Sequence, residues 1–234
     1  MQLFYNKTID TETKQIIFDK IESKHIVRVL RKKENDILHV TNGKGYLFEV
    51  EIIIASDKKC TAKIVNFKEK PKHWQYYIHI AIAPTKNNDR LEWFLEKATE
   101  IGIDEITPII CQNSERKVVK NERLEKVILA AMKQSLKFNL PKLNPAIKYN
   151  DFLKNLKQNA YIAHCENGEK KSLKESITNN SEIIILIGPE GDFSLPEIDL
   201  AQKHNITPIS LGNSRLRTET AGLVAVQNVS FLHQ

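Results

Sequence analysis

Residues 182–193 read Glu182-Ile-Ile-Ile-Leu-Ile-Gly-Pro-Glu-Gly-Asp-Phe193, a nearly continuous apolar run followed by a loop with two glycines. An apolar run without alternation is typical of a central strand in a parallel sheet, because such a strand is covered on both faces. The loop then lies at the carboxyl end of a strand, where open α/β sheets bind ligands. The segment therefore predicts an α/β domain with a binding site built on Ile187, Gly188, Pro189, Glu190 and Gly191.

The chemistry of this loop favours a flat, polar ligand such as adenine. Gly188 and Gly191 lack side chains and Pro189 stiffens the turn, so backbone N–H and C=O groups are exposed to a ligand. A phosphate-binding loop would end in Gly-Lys-Ser/Thr, and Glu190 would repel a phosphate. Ser194 and Glu197 are interpreted structurally, as the capping box of the helix that follows.

A second strand–loop–helix segment reads Leu211-Gly-Asn-Ser-Arg-Leu-Arg-Thr-Glu-Thr-Ala221. Thr218 is a candidate N-cap, and the acidic Glu219 suits the start of a helix. The loop holds Arg215 and Arg217, two of the seven arginines of a lysine-rich chain. An arginine in such a chain indicates a need for a planar, forked donor.

The second part of the chain alternates strand and helix patterns, which predicts an α/β domain with a parallel sheet. Predicted strands are Tyr76 to Ala83, Ile106 to Cys111, Tyr161 to Cys165, Glu182 to Ile187 and Pro208 to Leu211. Predicted helices are Arg90 to Ile101, Glu122 to Phe138 and Thr218 to Leu232.

The first part is rich in strand patterns and predicts a partly open barrel. The predicted strands include Gln15 to Phe18, Asp36 to Val40, Tyr46 to Ile54 and Thr61 to Phe67, with an Asn-Gly hairpin at Thr41 to Gly45. One short helix is expected, capped by Ser23 and carrying apolar residues at helical spacing. The polar segment 68–73 marks the boundary, which predicts domains at 1–70 and 71–234.

The last helix has no charged residue from Ala221 to Leu232. A helix that is apolar nearly all round is buried on more than one side. Because a monomer of this size offers few such places at the chain end, we expect this helix to form a homodimer interface.

Composition is that of a soluble globular protein, with 41% hydrophobic and 27% charged residues. Three widely spaced cysteines do not form a disulfide framework, and neither a signal peptide nor a membrane span is expected, which favours the cytoplasm. The histidines lack metal-ligand spacing, so no metal is expected.

Charge is distributed unevenly along the chain. Residues 1–70 carry 14 Lys and Arg against 10 Asp and Glu, residues 111–150 carry 9 against 3, and residues 181–234 carry 3 against 6. A basic front and middle indicate a surface that meets a polyanion. A generally lysine-rich proteome would explain the same pattern.

The two loops together resemble the SPOUT superfamily and, within it, the bacterial 16S ribosomal RNA uracil nitrogen-3 methyltransferases. The similarity extends over the whole chain: His25-Ile-Val-Arg-Val-Leu-Arg31 resembles a helix of the family's PUA-like barrel, and Asp89 to Gly102 its first catalytic-domain helix. Ser114-Glu-Arg116 and Glu122-Arg-Leu124 follow the family's order. The paired Gly-Pro-Glu-Gly and Leu-Arg-Thr-Glu-Thr-Ala loops are its specific part.

The resemblance implies an α/β, trefoil-knotted methyltransferase domain after an N-terminal PUA-like β-barrel. It also implies a homodimer and a site for the methyl donor S-adenosylmethionine (SAM) on three loops. Carried onto this sequence, the SAM-binding residues are His164, Cys165, Ile187, Gly188, Pro189, Glu190, Gly191, Leu211, Gly212, Leu216 and Thr218.

Three positions depart from the family pattern. Asp192 replaces a frequent second glycine, which would narrow the mouth of the pocket. Ser214 replaces a usual arginine two residues after Gly212, with Arg215 next to it. Lys133 replaces a common acid before Gln134-Ser135.

Methylation of uracil nitrogen-3 requires loss of its proton and stabilisation of the charge on the flanking carbonyl oxygens. Arg217 is the candidate for that stabilisation, as in an oxyanion hole; alternatively it pairs with a carboxylate and has a structural role. Glu190 and Glu219 are alternative catalytic candidates as proton acceptors, and each also has a simpler interpretation as a loop or cap carboxylate.

Nitrogen-3 lies on the Watson–Crick edge, so the target uridine must be unpaired or flipped out. The expected partner is 16S ribosomal RNA in the small ribosomal subunit. Arg28, Arg31, Arg116 and Arg123 are candidates for phosphate contacts, or else belong to ordinary solvated faces. The alternatives are another SPOUT enzyme acting on a ribose 2′-oxygen or on tRNA, and a catalytically inactive RNA-binding protein.

Overall fold

The computed structural model describes residues 1–156, 160–177 and 182–233. Its contacts divide the chain into two compact units. The first unit comprises Met1–His73 and Met132–Leu140, and the second comprises Trp74–Ala131 and Pro141–Gln234. The first unit is therefore built from two separate segments of the chain.

The first unit is a five-stranded sheet with one helix, in the strand order β1-β3-β4-β5-β2. Its elements are β1 (Leu3–Tyr5), β2 (Gln15–Ile17), α1 (Lys20–Lys24), which continues as a π-helical turn (His25–Val29), β3 (Ile37–Thr41), β4 (Tyr46–Ile54) and β5 (Thr61–Glu69). β1 pairs with β3 in parallel, whereas the β3–β4, β4–β5 and β2–β5 pairs are antiparallel. This half-barrel sheet confirms the predicted PUA-like architecture.

In this unit the hairpin turn lies where the sequence predicts it, whereas the N-cap of the helix is a different residue from the predicted one. Gly43 and Gly45 take positive φ angles of 71° and 84° in the turn between β3 and β4, as the Asn-Gly signal predicts. The prediction that Ser23 caps the helix was wrong. Asp19 is the N-cap and accepts a hydrogen bond from Glu22 N, because the helix begins four residues earlier and Ser23 lies buried inside it.

A hydrophobic cluster fills the concave side of this sheet. Its buried members are Phe4, Ile9, Ile16, Phe18, Ile26, Leu38, Val40, Phe48, Val50, Ile52, Cys60 and Ala62. The returning segment Met132–Leu140 is bound to the β3–β4 turn, where Gly45 N donates to Phe138 O over 2.8 Å and Leu140 N donates to Gly43 O over 2.9 Å. Lys133, the departure from the family's acid, forms an ion pair with Glu22 at 3.6 Å.

The second unit is an α/β domain. Its strands are β6 (Tyr77–Ile82), β7 (Glu105–Ile110), β8 (Lys142–Leu143), β9 (Ile147–Lys148), β10 (Ala160–Ala163), β11 (Lys171–Ser172), β12 (Glu182–Ile187) and β13 (Thr207–Ser210). Its helices are α2 (Asn88–Ile101), α3 (Asn121–Gln134), α4 (Tyr149–Asn155), α5 (Leu173–Ser176), α6 (Leu195–Lys203) and α7 (Thr218–Leu232). The sheet order is β11-β13-β10-β12-β6-β7-β8, with β9 also on β7, and the pairs are parallel. The predicted α/β architecture is confirmed; the trefoil knot stays a prediction.

Alternate side chains of the central strands face two helical layers. On one face Ala81 and Leu186 join a core with α4 and α6, whose buried members are Ala81, Ala83, Ile109, Cys111, Tyr149, Phe152, Leu153, Ala160, Ile162, Ile184, Leu186, Phe193, Ile198, Ala201 and Ile206. On the other face α7 approaches β6 and α2 closely at Gly222. A Cβ at this glycine would lie 2.8 Å from the Phe94 ring and 3.0 Å from Ile82.

The third helix is shorter than the sequence indicates. It ends at Gln134, and Leu136 takes a positive φ of 53°, so the predicted extension to Phe138 was wrong. The chain leaves the helix to place residues 136–140 against the β3–β4 turn. Within the described parts of the chain, no helix has the length and apolarity that crossing a membrane requires.

Candidate functional site

Three neighbouring strands of the second unit end at the same edge of the sheet. Ala163 at the end of β10 is in register with Ile187 at the end of β12 and with Ile209 near the end of β13. The loops that follow these strands are therefore adjacent. They are His164–Glu166, Gly188–Asp192 and Leu211–Arg217, here called the first, second and third loops.

The second loop is fixed by hydrogen bonds from several directions. Glu190 Oε1 accepts from Lys86 N over 2.9 Å, and Asn113 Nδ2 donates to the Gly191 and Asp192 carbonyls over 3.2 and 3.1 Å. Gly188 is buried, and a Cβ there would lie 3.0 Å from the Phe193 ring. Gly188 therefore serves close packing, whereas Gly191 is exposed.

Asp192 joins the second loop to the first. Its Oδ2 accepts from Cys165 N over 2.6 Å, and its Oδ1 accepts from Phe193 N over 2.8 Å. Asp192 takes a positive φ of 60°, a conformation that aspartate tolerates better than most residues. Asp192, where the resemblance implies a frequent glycine, thus keeps glycine-like backbone geometry and adds a carboxylate link.

In the first loop, the imidazole of His164 makes no hydrogen bond with a described residue. Both ring nitrogens are shielded from solvent and have no hydrogen-bond partner among the described residues. Burial, with a smaller contribution from Lys170, lowers the pKa of His164, so the ring is neutral and retains one donor and one acceptor. Buried polar groups without partners are rare, and a bound ligand would supply them here.

Thr218 joins the third loop to the second. Its Oγ1 donates to the Gly188 carbonyl over 3.0 Å. Thr218 is the first residue of α7, and the N-cap is Arg217, whose side chain makes no capping bond. The prediction that Thr218 caps the helix was wrong, because its hydroxyl is directed to the neighbouring loop instead of to the helix N–H groups.

The third loop is open where a ligand would meet its backbone. Gly212 has a φ of 125°, and a Cβ there would meet no atom within 4 Å. Leu216 is half-buried, and Leu211 is likewise partly covered. The three loops thus present exposed peptide groups, two half-buried leucines and a neutral imidazole around one edge of the sheet. This combination offers the backbone hydrogen-bonding groups and apolar cover that a flat, polar ligand requires.

Arg217 and Glu219 flank a hollow of about 600 Å³ beside the third loop. The Arg217 side chain is exposed, and its guanidinium has no hydrogen bond or ion pair with another described residue. Glu219 is buried, with Oε1 3.7 Å from Arg90 Nε. Glu190, by contrast, uses one oxygen to bind the Lys86 backbone.

Three of the four arginines considered for RNA contacts have partners within the protein. Arg28 binds Asp57 Oδ2 through Nε and Nη2 at 2.9 and 2.8 Å. Arg116 donates to the Thr85 and Lys86 carbonyls, and Arg123 pairs with Glu92 and Asp89. Arg31 is exposed and makes no side-chain bond among the described residues.

Sequence reasoning missed three residues around these loops. Asn113 holds the second loop, and Arg90 and Trp93 line the hollow beside Arg217. All three are remote in sequence from the glycine loops. One signal was available in advance, because Trp93 falls outside the helical spacing of the apolar residues Leu91, Phe94 and Ala98.

The predicted capping box is present at α6. Ser194 is the N-cap, and its N–H donates to Glu197 Oε2 over 2.9 Å. Glu197 Oε1 also accepts from Gln112 N over 2.7 Å, which ties the loop after β7 to this helix. In the ranges 1–156, 160–177 and 182–233, no group of three or more His, Cys, Asp or Glu side chains is arranged to hold a metal ion.

Comparison with known proteins gives matches over both units. A family model described as an RNA methyltransferase domain matches residues 72–230, and one described as an RNA methyltransferase PUA domain matches residues 18–65. Ribosomal RNA small subunit methyltransferase E of Rickettsia conorii is 32% identical over 89% of this chain and 86% of its own length. The protein of that name from Buchnera aphidicola is 32% identical over 93% of this chain and 88% of its own.

Solved structures agree with this pattern. A probable rRNA methyltransferase of Porphyromonas gingivalis is 38% identical, with a TM-score of 0.91 over 100% of this chain and 98% of its own. A methyltransferase of Legionella pneumophila in complex with SAM is 26% identical, with a TM-score of 0.87 over 98% of this chain and 96% of its own.

Proposed function

Since the chain belongs to the RNA methyltransferase family and carries that family's PUA domain, we propose that it methylates ribosomal RNA of the small subunit. The methyl donor is SAM, and the acceptor is nitrogen-3 of a uridine in 16S ribosomal RNA. The observation that carries the proposal is the hydrogen-bonded junction of the three loops at the ends of β10, β12 and β13. The named relatives of similar length support the substrate class.

The cofactor site is assigned to the three loops. SAM supplies a methyl group on a sulfonium, which is transferred when a nucleophile lies in line with the carbon–sulfur bond. Gly191 and Gly212 leave backbone groups open to the ligand, and the ring nitrogens of His164 are ready to bond it. Asp192 and Thr218 hold the loops in place through their bonds to Cys165 and Gly188.

Arg217 is assigned to the acceptor base. Deprotonation of uracil nitrogen-3 spreads negative charge onto the carbonyl oxygens on either side of it. An exposed guanidinium that has no partner among the described residues and follows the third loop is suited to donate to those oxygens. Because arginine stays protonated, it stabilises the charge and does not act as the base.

The RNA partner is bound through shape and phosphate contacts. The excess of basic residues in the segments 1–70 and 111–150 supplies an electrostatic surface for the ribose–phosphate backbone. Of the four candidate arginines, Arg31 is the most available for such a contact, since Arg28, Arg116 and Arg123 first have to leave protein partners. We assign the reaction to the cytoplasm, where small subunits are assembled and the three thiols stay reduced.

The active form is proposed to be a homodimer formed through α7. In the monomer one side of this helix packs on α2 and β6, while Phe231 is 70% exposed near its end and Leu223 and Val224 are partly exposed. Exposed apolar side chains on a helix segment without charged residues, here Ala221 to Leu232, are typical of a subunit interface.

Mass mapping of modified nucleosides tests the function. Small-subunit RNA from a strain lacking the gene should lose a methyl group at one uridine base, and the wild-type gene should restore it. Loss of a ribose methyl group, or of a methyl group in tRNA, would assign another reaction to the same fold. Unchanged RNA would indicate a protein that binds RNA without modifying it.

A further inference from the structure

The hollow beside Arg217 is formed by the first turns of α2 and α7. Arg90 and Trp93 line it from α2, and Leu216, Arg217 and Glu219 line it from the third loop and the start of α7. Its volume of about 600 Å³ is in the range of small-ligand sites.

Glu219 brings a polar atom to this hollow that lacks a partner. Its side chain is 8% exposed, and Oε2 is shielded from solvent without any hydrogen bond from the described residues. The other oxygen faces Arg90 Nε at 3.7 Å. An unpaired buried carboxylate oxygen is costly, and an N–H donor from a ligand would satisfy it.

Trp93 brings an aromatic surface to the same hollow. It is 42% exposed on a helix whose neighbouring residues Leu91 and Phe94 are buried. The chain has a second tryptophan, Trp74, which is buried and donates to Asp104. An exposed tryptophan beside a polar hollow is suited to stacking on a nucleobase, because every base has a π-face.

The charges of the hollow match one edge of uracil in particular. That edge presents an N3–H donor between two carbonyl acceptors. Glu219 offers an acceptor, and Arg90 and Arg217 offer donors within the same hollow. Asp89 and Arg215 complete its charged lining. Cytosine has an unprotonated N3, which a carboxylate would repel.

We propose that this hollow receives the flipped-out uracil, with Trp93 stacked on the ring and Glu219 Oε2 accepting the N3 proton. This inference rests on the proposed function and extends it to the base site. The proton passes from N3 to the carboxylate, N3 bonds to the methyl carbon, and the carbon–sulfur bond breaks to leave the neutral thioether S-adenosylhomocysteine. The carboxylic acid then returns its proton to solvent. Phe231, the most exposed apolar residue of α7, lies about 18 Å further along the helix at 1.5 Å per residue.

Substitutions at Trp93 separate stacking from packing. With small ribosomal subunits from a strain lacking the gene as substrate, Trp93→Ala should lower kcat/KM by about 10- to 100-fold, the scale of base–aromatic stacking. Trp93→Phe keeps a π-face and should stay near wild type. Trp93→Leu keeps apolar bulk and should behave like Trp93→Ala. Equal activity of the Leu and Phe variants would overturn the stacking role.

The role of Glu219 is tested by pH. Glu219→Gln should slow single-turnover transfer at neutral pH by about 10²-fold or more, the scale of general base catalysis. Its rate should recover at alkaline pH, where the N3 proton leaves to solvent, while SAM affinity stays unchanged. A rate that is reduced equally at every pH would make Glu219 a structural partner of Arg90 and overturn the assignment.

A binding measurement distinguishes this inference from the proposed reaction. Oligouridine should quench the fluorescence of the wild-type protein more than oligocytidine does, and the difference should vanish in Trp93→Phe. This result without methyl transfer to subunits would support the base site and refute the proposed function. Equal quenching by the two oligonucleotides, or quenching that persists in Trp93→Phe, would refute the base site whatever the activity.

Discussion

Arg217 is the side chain on which the proposed chemistry depends most. It is exposed at the N-cap of α7 and has no ion pair with a described residue. Arg217→Ala should therefore reduce the single-turnover rate by ~10²–10³, the cost of removing one oxyanion donor. Arg217→Lys should recover little of that rate, since an ammonium lacks the planar fork.

Stability and SAM-binding measurements on the same two variants separate the catalytic role of Arg217 from a structural one. If Arg217 acts on the base, thermal melts of both variants should match wild type, because Arg217 has no ion pair with a described residue. SAM affinity should also change little, since backbone groups hold the cofactor. A full rate with a lowered melting temperature would remove the catalytic assignment.

Gly191 tests the cofactor site. A Cβ at this exposed glycine would meet Asn113 at 3.4 Å, which is an ordinary contact, so Gly191→Val should fold normally. The branched side chain would fill the space next to the open peptide groups of the second loop. Calorimetry should then detect no SAM binding at concentrations that saturate wild type, while circular dichroism is unchanged. Normal affinity would place SAM elsewhere.

At the scale of residues, the sequence was sufficient to identify the loops of the candidate site. It was not sufficient to predict the hydrogen bonds and packing within them. Glu190 and Gly188 were conspicuous in the glycine loop, yet one binds the Lys86 backbone and the other packs on Phe193. Trp93 and Arg90 reach the hollow only through the packing of α2 beside α7. Such a juxtaposition depends on tertiary structure, which spacing in the sequence does not encode.

At the scale of elements, β6 and β7 share a buried polar network. His79 Nε2 lies 2.7 Å from Thr107 Oγ1, and Asn144 Nδ2 donates to Thr107 Oγ1 and Glu105 Oε1. Burial lowers the pKa of His79 from 6.5 to about 4. Burial opposes ionisation of Glu105, but hydrogen bonds from Tyr77, Asn144 and Lys142 outweigh it and bring its pKa to about 2.

This network predicts a loss of stability in acid. Burial favours the neutral form of His79 in the folded protein. The free energy of unfolding is therefore highest above pH 6.5 and decreases as the pH falls to about 4. The pKa shift of His79 corresponds to a decrease in the free energy of unfolding on the order of 3 kcal/mol. When urea unfolding is measured between pH 4 and 7.5, the free energy of unfolding should change less with pH for His79→Gln than for wild type. If the free energy of unfolding changed equally with pH in the two proteins, His79 would not be the cause of the acid destabilisation.

The long, strongly patterned elements were predictable, and their ends were less so. β12 and α7 begin and end where the sequence indicates, because a continuous apolar run and a long, mostly apolar helix pattern leave few alternatives. α3 stops at Gln134 because residues 136–140 bind the β3–β4 turn, a contact between segments far apart in the chain. The short strands β1, β8, β9 and β11 have too few residues to show a period.

At the scale of the whole molecule, the homodimer is the main structural prediction. Sedimentation at micromolar concentration should show a species of about twice the 26.9 kDa chain mass, because burial of the exposed face of α7 stabilises the pair. Phe231→Glu should shift the protein toward the monomer. Phe67→Glu changes a 44% exposed phenylalanine of the first unit and serves as the matched control. A wild-type protein that sediments only as a monomer would refute the dimer.

Transfer of a labelled methyl group by the purified protein tests the central claim most directly. Small subunits and naked 16S RNA from a strain lacking the gene would be incubated with SAM carrying a deuterated methyl group, and the nucleosides analysed by mass spectrometry. The account predicts label in 3-methyluridine at one position, with faster transfer to subunits than to naked RNA, since the PUA domain and basic surface recognise folded RNA. Label on a ribose, label in tRNA under the same conditions, or equal rates on both substrates would contradict it.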